Sequence, residues 1–576
     1  MHVDTLVKNV RVYNAYIQQF IASDVAINEG RFVAIGHSDE LESIQAKATI
    51  DGQGRQMIPG LIDIHLHIES SMVTPETFSW ALLRNGVTTI VAEPHEMANV
   101  FGIEGIKAMI EASAACTVDM KYAIPSSVPA TSLETTGGAI GIAEMDELMD
   151  TEDIQCLGEI MNYVDVLSKP DSKTNQILKH FRRSYPALPI EGHVPKLTGL
   201  DLHQIVAAGI GSDHTHQTRE GMEARIKAGM FLEIQEKSMT DDVLSYLIEN
   251  DTREHFCFVT DDVMADSLYK RGHLNVLANK ALAAGMKFED VIYACTMAPA
   301  KRMKLEDRGA IAPGKIADFS LLAEDGQFVF SAVYKDGMLA FDAASPYKQT
   351  PKPRQFPPHF YESVKLAPLQ EEDFHVVADR QDGIHVCRVM NVADGSTFTK
   401  ETQERVPVAN GLLQWQDSDF RLIATFERYG KTGGRAHGLI AGDILQRGAV
   451  ATTYSHDNHN LLVVGANILD MVCAANAVIQ AQGGCAVVEN GEVKAMLELP
   501  VGGILSEAPL AELAPKVESF VKALTALGYK HYNPIMSLST LSLPVSPALK
   551  ITDFGLIDVN NGQVVPLFVN RVGGGD

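Results

Sequence analysis

From residue 57 to residue 262 the chain repeats one pattern: a short apolar or β-branched run, then a stretch with helical spacing. Eight runs carry it: MIPGLIDIHLH, VTTIVAEPHE, MKYAIPSSVPA, IQCLGEIMN, LPIEGHVP, GIGSDHTHQ, MFLEIQEKS and HFCFVTDD. Between most of them lie segments such as PETFSWALLRNG, GIEGIKAMIEASAAC, NQILKHFRRSYP, DLHQIVAAG and DDVLSYLIEN. Parallel strands read as continuous apolar runs when helices cover the sheet. Eight βα units in about 250 residues are what a closed parallel barrel needs. The expected class is therefore α/β, with a (β/α)8 TIM-like barrel over residues 58–305.

The flanks have a different texture. Residues 1–57 alternate short apolar runs with turns (LVKNVRVYN, SDVAINEGRFVAIG, ATIDGQGRQ), and GAIAPGKIADFSLLAEDGQFVFSAVYKDGMLA returns to that texture after the barrel. A small β-sandwich domain built from both flanks, 1–57 with 306–345, is expected. SPYKQTPKPRQFPPHF, residues 345–360, reads as a proline-rich linker. Beyond it a C-terminal α/β extension domain is expected over 360–576.

Polar residues fall at the C-terminal ends of the barrel strands, where active sites of such barrels form. His65 and His67 alternate on one strand and so point the same way. Glu93 to Glu96, Glu159, His193, His214, Asp261 and Asp262 end others. A buried, unpaired carboxylate or imidazole is costly, so a lone one is read as a hydrogen-bonded core residue. Six on one rim are read as a metal site: His65, His67, Glu159, His193, His214 and Asp261. Six donors exceed the three protein ligands of a mononuclear catalytic zinc and suit two divalent ions sharing a bridging carboxylate and a bridging water. Such a pair brings the pKa of bound water toward ~7. The donor types fit manganese, iron or zinc and disfavour a thiolate site.

The formal net charge of -25 argues against a nucleic-acid partner. The start, MHVDTLVKNV, lacks the pattern of a signal peptide, and no run reaches the length of a membrane span. The seven cysteines are scattered and form no CxxC, which reads as reduced thiols in a cytoplasmic protein.

PGLIDIHLHIE, GVTTIVAEPHEMANVFG, GHVP, the SDH of GIGSDH and the TDD of FVTDDV resemble the amidohydrolase superfamily. HIESSMVTP, PHEMANV, SHDNHNLLVVGANILDM and LPVSPALKITDFGLIDV resemble its adenine deaminase family along nearly the whole chain. The resemblance implies hydrolytic deamination of adenine to hypoxanthine and ammonia at a binuclear centre. Manganese is the first expectation, with iron or zinc as alternatives. Many relatives bridge their metals through a carboxylated lysine on the fourth strand; QCLGEIMN has Glu159 there, which implies Glu159 as the bridge. Asp261 would bind one metal and accept the proton of the bridging water. Glu96 is the expected acid, with His95 or Glu69 as alternates. A helix N-terminal carboxylate is the plain alternative for Glu96. A homo-oligomer, taken as a dimer, is expected.

Asn162, His216, His456 and Asp457 are the expected substrate contacts, although a capping role suits Asn162 as well. After SDH the family usually continues with a glutamate; here the chain reads DHTHQT, which leaves adenine open against an N6-substituted adenine. The other readings are a related aminopurine or aminopteridine deaminase, an amidase of a cyclic amide, and a metal-binding scaffold without catalysis. In the C-terminal region His456, Asp457 and His459 lie between apolar runs, with Glu507 in GGILSE nearby. They are read either as an internal hydrogen-bonded turn or as a segment that closes over the barrel mouth.

Overall fold

The computed structural model describes residues 1–151, 153–345, 355–393, 395–416 and 418–569. Two compact units make it up. The first comprises Met1–Pro94, Met109–Ser126 and Gly141–Arg354; the second comprises His95–Ala108, Ser127–Ile140 and Gln355–Asp576.

In the first unit, strands β1 (His2–Asn14), β2 (Gln19–Asn28), β3 (Arg31–Gly36), β4 (Gln45–Asp51) and β5 (Gln56–Pro59) form most of one eight-stranded sheet. Val7, Val10, Val12, Val25, Ile27 and Phe32 supply one buried face, and Val3, Leu6 and Ala26 form a second, smaller buried cluster.

The mixed α/β part follows. Parallel strands β6 (Leu61–Leu66), β7 (Val87–Ala92), β8 (Asp119–Ile124), β9 (Ile154–Ile160) and β10 (Ile190–Gly192) pair in chain order. β11 (Ser212–Asp213), β12 (Phe231–Ile234) and β13 (Phe256–Phe258) form a second parallel set. β6 and β7 are buried at every position, as helix-covered strands must be. The two sets meet at two thin seams. One is the hydrogen bond from Gly211 N–H to the Ile190 carbonyl at 3.0 Å. The other is an isolated parallel bridge, Leu66 to Asp261. β14 (Phe319–Leu322), β15 (Phe330–Lys335) and β16 (Met338–Asp342) then return to the first sheet, where β14 lies antiparallel to β5.

Two local expectations are corrected. MIPGLIDIHLH is two strands in two sheets, divided at Gly60, where a Cβ would meet the Thr88 hydroxyl at 2.1 Å. The helical stretch from Glu96 is two helices, His95–Phe101 and Ile103–Ser113, broken at Gly102 with φ +63°. A left-handed residue ends a helix, and glycine adopts that conformation without a Cβ clash.

The second unit holds a nine-stranded sheet within residues 383–498 and helices Ile468–Gln480 and Leu510–Ala526. Trp415, Phe374, Phe426 and Met471 are among the residues that fill its core. Of the proline-rich stretch 345–360, residues 346–354 lie outside the described residues. Phe356 and Phe360 are buried and stacked, so that end of the stretch is packed chain and not a spacer. Among the described residues no helix is long and apolar enough to cross a membrane.

Candidate active site

In the first unit the strand ends bring five buried side chains together: His65, His67, Glu159, His214 and Asp261. His193, half-buried, joins them through Nδ1, 2.8 Å from Glu159 Oε2 and 3.0 Å from His214 Nε2. His214 Nε2 lies 3.2 Å from the same oxygen. The other carboxylate oxygen, Oε1, is 3.6 Å from His67 Nε2. Glu159 thus offers one oxygen to each of two groups of imidazoles. Asp261 Oδ1 lies 3.6 Å from His65 Nε2 and 3.5 Å from His67 Nε2.

These distances test whether divalent ions fit. At 3.5–3.6 Å a nitrogen and an oxygen are too far apart for a hydrogen bond. Two ligands on one ion with bonds of about 2.0–2.2 Å sit roughly 3.0–3.6 Å apart. His65 Nε2 is buried with no hydrogen-bond partner, a costly arrangement unless a cation completes it. The ring of His67 is oriented as well: its Nδ1–H donates to the Glu93 carbonyl at 2.9 Å, which turns Nε2 toward Glu159 and Asp261. Two donor triples, His65–Glu159–His214 and His65–His67–Asp261, each converge within 4.8 Å. The residues fit the group.

The imidazoles are shifted in both directions: burial lowers His67 and His214, but the neighbouring carboxylates outweigh it and hold both above the usual range. Burial lowers the His65 pKa to about 4, with the His214 charge adding to it, so the neutral ring is favoured. Burial pushes Glu159 up, but His193 and His214 outweigh it and hold the carboxyl well below its usual range. Burial likewise opposes ionisation of Asp261, and His65 and His67 overturn it. Asp261 itself has φ +58°, a strained conformation for a non-glycine residue and one that clusters at functional sites.

A second cluster lies within the second unit. Glu96, on helix His95–Phe101, is fully buried. Its Oε2 is 2.5 Å from His459 Nε2 and its Oε1 is 3.0 Å from His456 Nδ1. Burial raises the Glu96 pKa, yet the two imidazoles prevail and hold it well below the usual range. His95, His456 and Asp457 bring ligand-type atoms within 4.8 Å of one another. Buried Arg428 donates to the His459 carbonyl and fixes the turn that carries both histidines. The segment 455–460 is therefore a hydrogen-bonded turn, and it also supplies the two imidazoles that contact Glu96.

Of the other expected residues, Glu69 is buried in the short 3-10 turn Ile68–Ser71 that follows His67. Asn162 caps helix Tyr163–Ser168, its side-chain oxygen accepting from Asp165 N–H at 3.1 Å. His216 is exposed, and its pKa is lowered by partial burial and by Lys237 and Lys196. Gln217 is buried and donates to Asp213 at 2.8 Å. Glu507 accepts from the Tyr361 hydroxyl at 2.7 Å.

Sequence reasoning missed Lys237, whose Nζ is 3.7 Å from Asp261 Oδ2. It also missed the buried Asp63, Asp213, Glu191 and Glu233. Alternation with His65 and His67 was the available signal for Asp63.

Comparison with known proteins follows from both units. Residues 56–340 match the amidohydrolase family model, and residues 396–563 match the adenine deaminase C-terminal domain. The chain is 99% identical over 571 residues to "Adenine deaminase 2" of Shouchella clausii (strain KSM-K16), covering 99% of this chain and 100% of that protein. "Adenine deaminase" of Clostridium perfringens (strain 13 / Type A) is 47% identical over 573 residues, 99% of each chain. "Adenine deaminase" of Lactobacillus delbrueckii subsp. bulgaricus is 41% identical over 570 residues, 98% of this chain and 99% of that one.

Proposed function

The chain belongs to the adenine deaminase family of the amidohydrolase superfamily, and from that premise we propose that it hydrolyses adenine to hypoxanthine and ammonia. The observation that carries the reading beyond likeness is the divided carboxylate of Glu159, with Oε2 toward His193 and His214 and Oε1 toward His67.

His65, His67 and Asp261 would hold one divalent ion, His193 and His214 the other, and Glu159 would bridge. Manganese is the proposed metal; iron and zinc suit the same nitrogen and oxygen donors. When bound, the pair supplies a water acidified toward a pKa of ~7, a nucleophile at neutral pH.

The chain's own residues then manage protons. Asp261 stays ionised and would take the proton of the attacking water. Addition to the amino-bearing carbon needs a proton on the purine ring, and loss of ammonia needs another. Glu96 is the proposed donor. Because His456 and His459 keep it ionised, it acts as a shuttle that collects a proton before delivering it, and not as a standing acid. His95 and Glu69 are the alternates. His456 and Asp457 are the proposed substrate contacts, since His456 Nε2 and Asp457 Oδ2 are buried without hydrogen-bond partners. Asn162 and His216 complete the proposed set.

The same reading takes the eight parallel strands as a (β/α)8 barrel over 58–305, flanked by a β-sandwich from 1–57 and 306–345 and extended by 360–576. A cytoplasmic homodimer completes it. The test is to incubate the manganese-loaded chain with a panel of aminopurines and measure ammonia release. Adenine should be the preferred substrate. Preference for an N6-substituted adenine would reassign the purine, and hydrolysis of a cyclic amide with no ammonia from any aminopurine would overturn the reading.

A further inference from the structure

The parallel strands form sets of five and three, so ligands on opposite sides of a seam are not held by a continuous ladder. His65 and His67 face Asp261 across one seam, and His193 faces His214 across the other. At each seam sits one buried aspartate that takes no part in the ligand set.

Asp63, on β6, accepts through Oδ1 from His65 N–H at 3.3 Å. Through Oδ2 it accepts from Thr260 N–H at 3.1 Å and from the Thr260 hydroxyl at 2.7 Å. Thr260 directly precedes Asp261. Its hydroxyl also lies 3.1 Å from His273 Nε2; having given its own proton to Asp63, that oxygen accepts from the ring.

Asp213, on β11, repeats the device. Its Oδ1 accepts from Val194 N–H at 3.1 Å and Thr215 N–H at 3.2 Å. Those are the residues that follow His193 and His214. Its Oδ2 accepts from the Thr215 hydroxyl, Gln217 and Arg225 Nε. Arg225 also donates to the Val194 carbonyl at 2.6 Å, so both backbone groups of Val194 are fixed.

We propose that Asp63 and Asp213 are positioning residues of the metal centre, each stapling the seam whose two sides carry one ion's ligands. The inference rests on the binuclear reading above. A carboxylate suits the task because it accepts from several N–H groups at once. In asparagine one oxygen becomes an NH2, which would face the N–H donors it replaced an acceptor for. Outer partners of this kind change metal affinity by about 10–100-fold when lost.

The test uses the full chain loaded with manganese, comparing the parent with Asp63→Asn, Thr260→Val and Asp213→Asn. Metal per chain is read by elemental analysis during dialysis against a chelator, and Tm is read in parallel on the same samples. Asp63→Asn and Thr260→Val should each release one ion about 10–100-fold faster than the parent while the second ion stays. Asp213→Asn should also release one ion selectively, and the Asp63→Asn/Asp213→Asn double variant should lose both. Thr260→Val keeps the carboxylate and the Thr260 N–H, so it tests the staple even if an aspartate variant fails to fold. Release of both ions together, in step with a fall in Tm, would make these residues merely structural and overturn the proposal, as would unchanged release. A parent chain that binds no divalent ion, or only one, would instead overturn the binuclear reading.

Discussion

The two clusters of buried charge differ in their spacing. In the second unit Glu96 contacts His456, held against burial by the Glu96 and Asp457 charges well above the usual imidazole range, and His459, which burial holds below it. In the first unit Glu159 and Asp261 face four imidazoles; burial lowers His65, while the neighbouring carboxylates outweigh burial and raise His67 and His214. Glu96 stands 2.5 and 3.0 Å from its two imidazoles, whereas Asp261 and the Glu159 Oε1 oxygen stand 3.5–3.6 Å from theirs, the spacing of donors that share an ion. A buried charge must be paired or must coordinate a metal, and the contrast supports the proposal of a metal at the first cluster and proton transfer at Glu96.

The contrast breaks most readily at Glu159. Glu159→Gln should abolish turnover and lower the metal content, because a neutral amide is a poor bridge. Two tightly held ions with near-normal ammonia release would contradict the bridging role. Glu159→Lys should not restore activity by carboxylation, since a longer side chain would displace the carboxylate from its place between His67 and His193.

Glu96→Gln should do the reverse: metal content unchanged, kcat lower by ~10²–10⁴, the scale of general acid–base catalysis. Loss of metal would move Glu96 into the ligand set, and a tenfold or smaller rate loss would leave it structural.

A smaller effect sharpens the electrostatics. His459→Gln removes one of the two imidazoles that hold Glu96 low. The acidic limb of the kcat/KM profile should move to higher pH, with metal content unchanged. An unmoved limb would mean that the ion pair does not tune the shuttle.

The smallest effect concerns stability. Burial, then the charge of Asp457, pushes Glu134 from 4.5 up to about 8. The folded chain therefore holds a proton that the unfolded chain releases between pH 4.5 and about 8. The resulting stability is present at the acid end of that window and falls as pH rises through it. Glu134→Gln should flatten this fall in Tm; an identical pH dependence in parent and variant would contradict it.

How much of this was legible in the sequence depends on distance along the chain. The eight parallel strands and the six ligand candidates could be read because burying a polar side chain at a strand end demands a reason, and each strand carries its own signal. Asp63 was readable in principle from its alternation with His65 and His67. Arg225 and Lys237 were not, because they come from a helix and a turn whose patterns resemble any solvated face. The pairing of Glu96 with His456 and His459 was hidden for another reason: it joins segments far apart in sequence, and no local periodicity encodes a long-range ion pair. The break at Gly102 shows the same limit on a local scale, since an apolar pattern continues through a helix end that only backbone conformation reveals.

The most direct test of the central claim is a manganese titration of the metal-free chain, followed by electron paramagnetic resonance alongside ammonia release from adenine. With Glu159 divided between two sites, activity should reach its maximum at two ions per chain, and the spectrum should be that of an exchange-coupled pair. Full activity with one ion, or two ions whose spectra show no coupling, would contradict it.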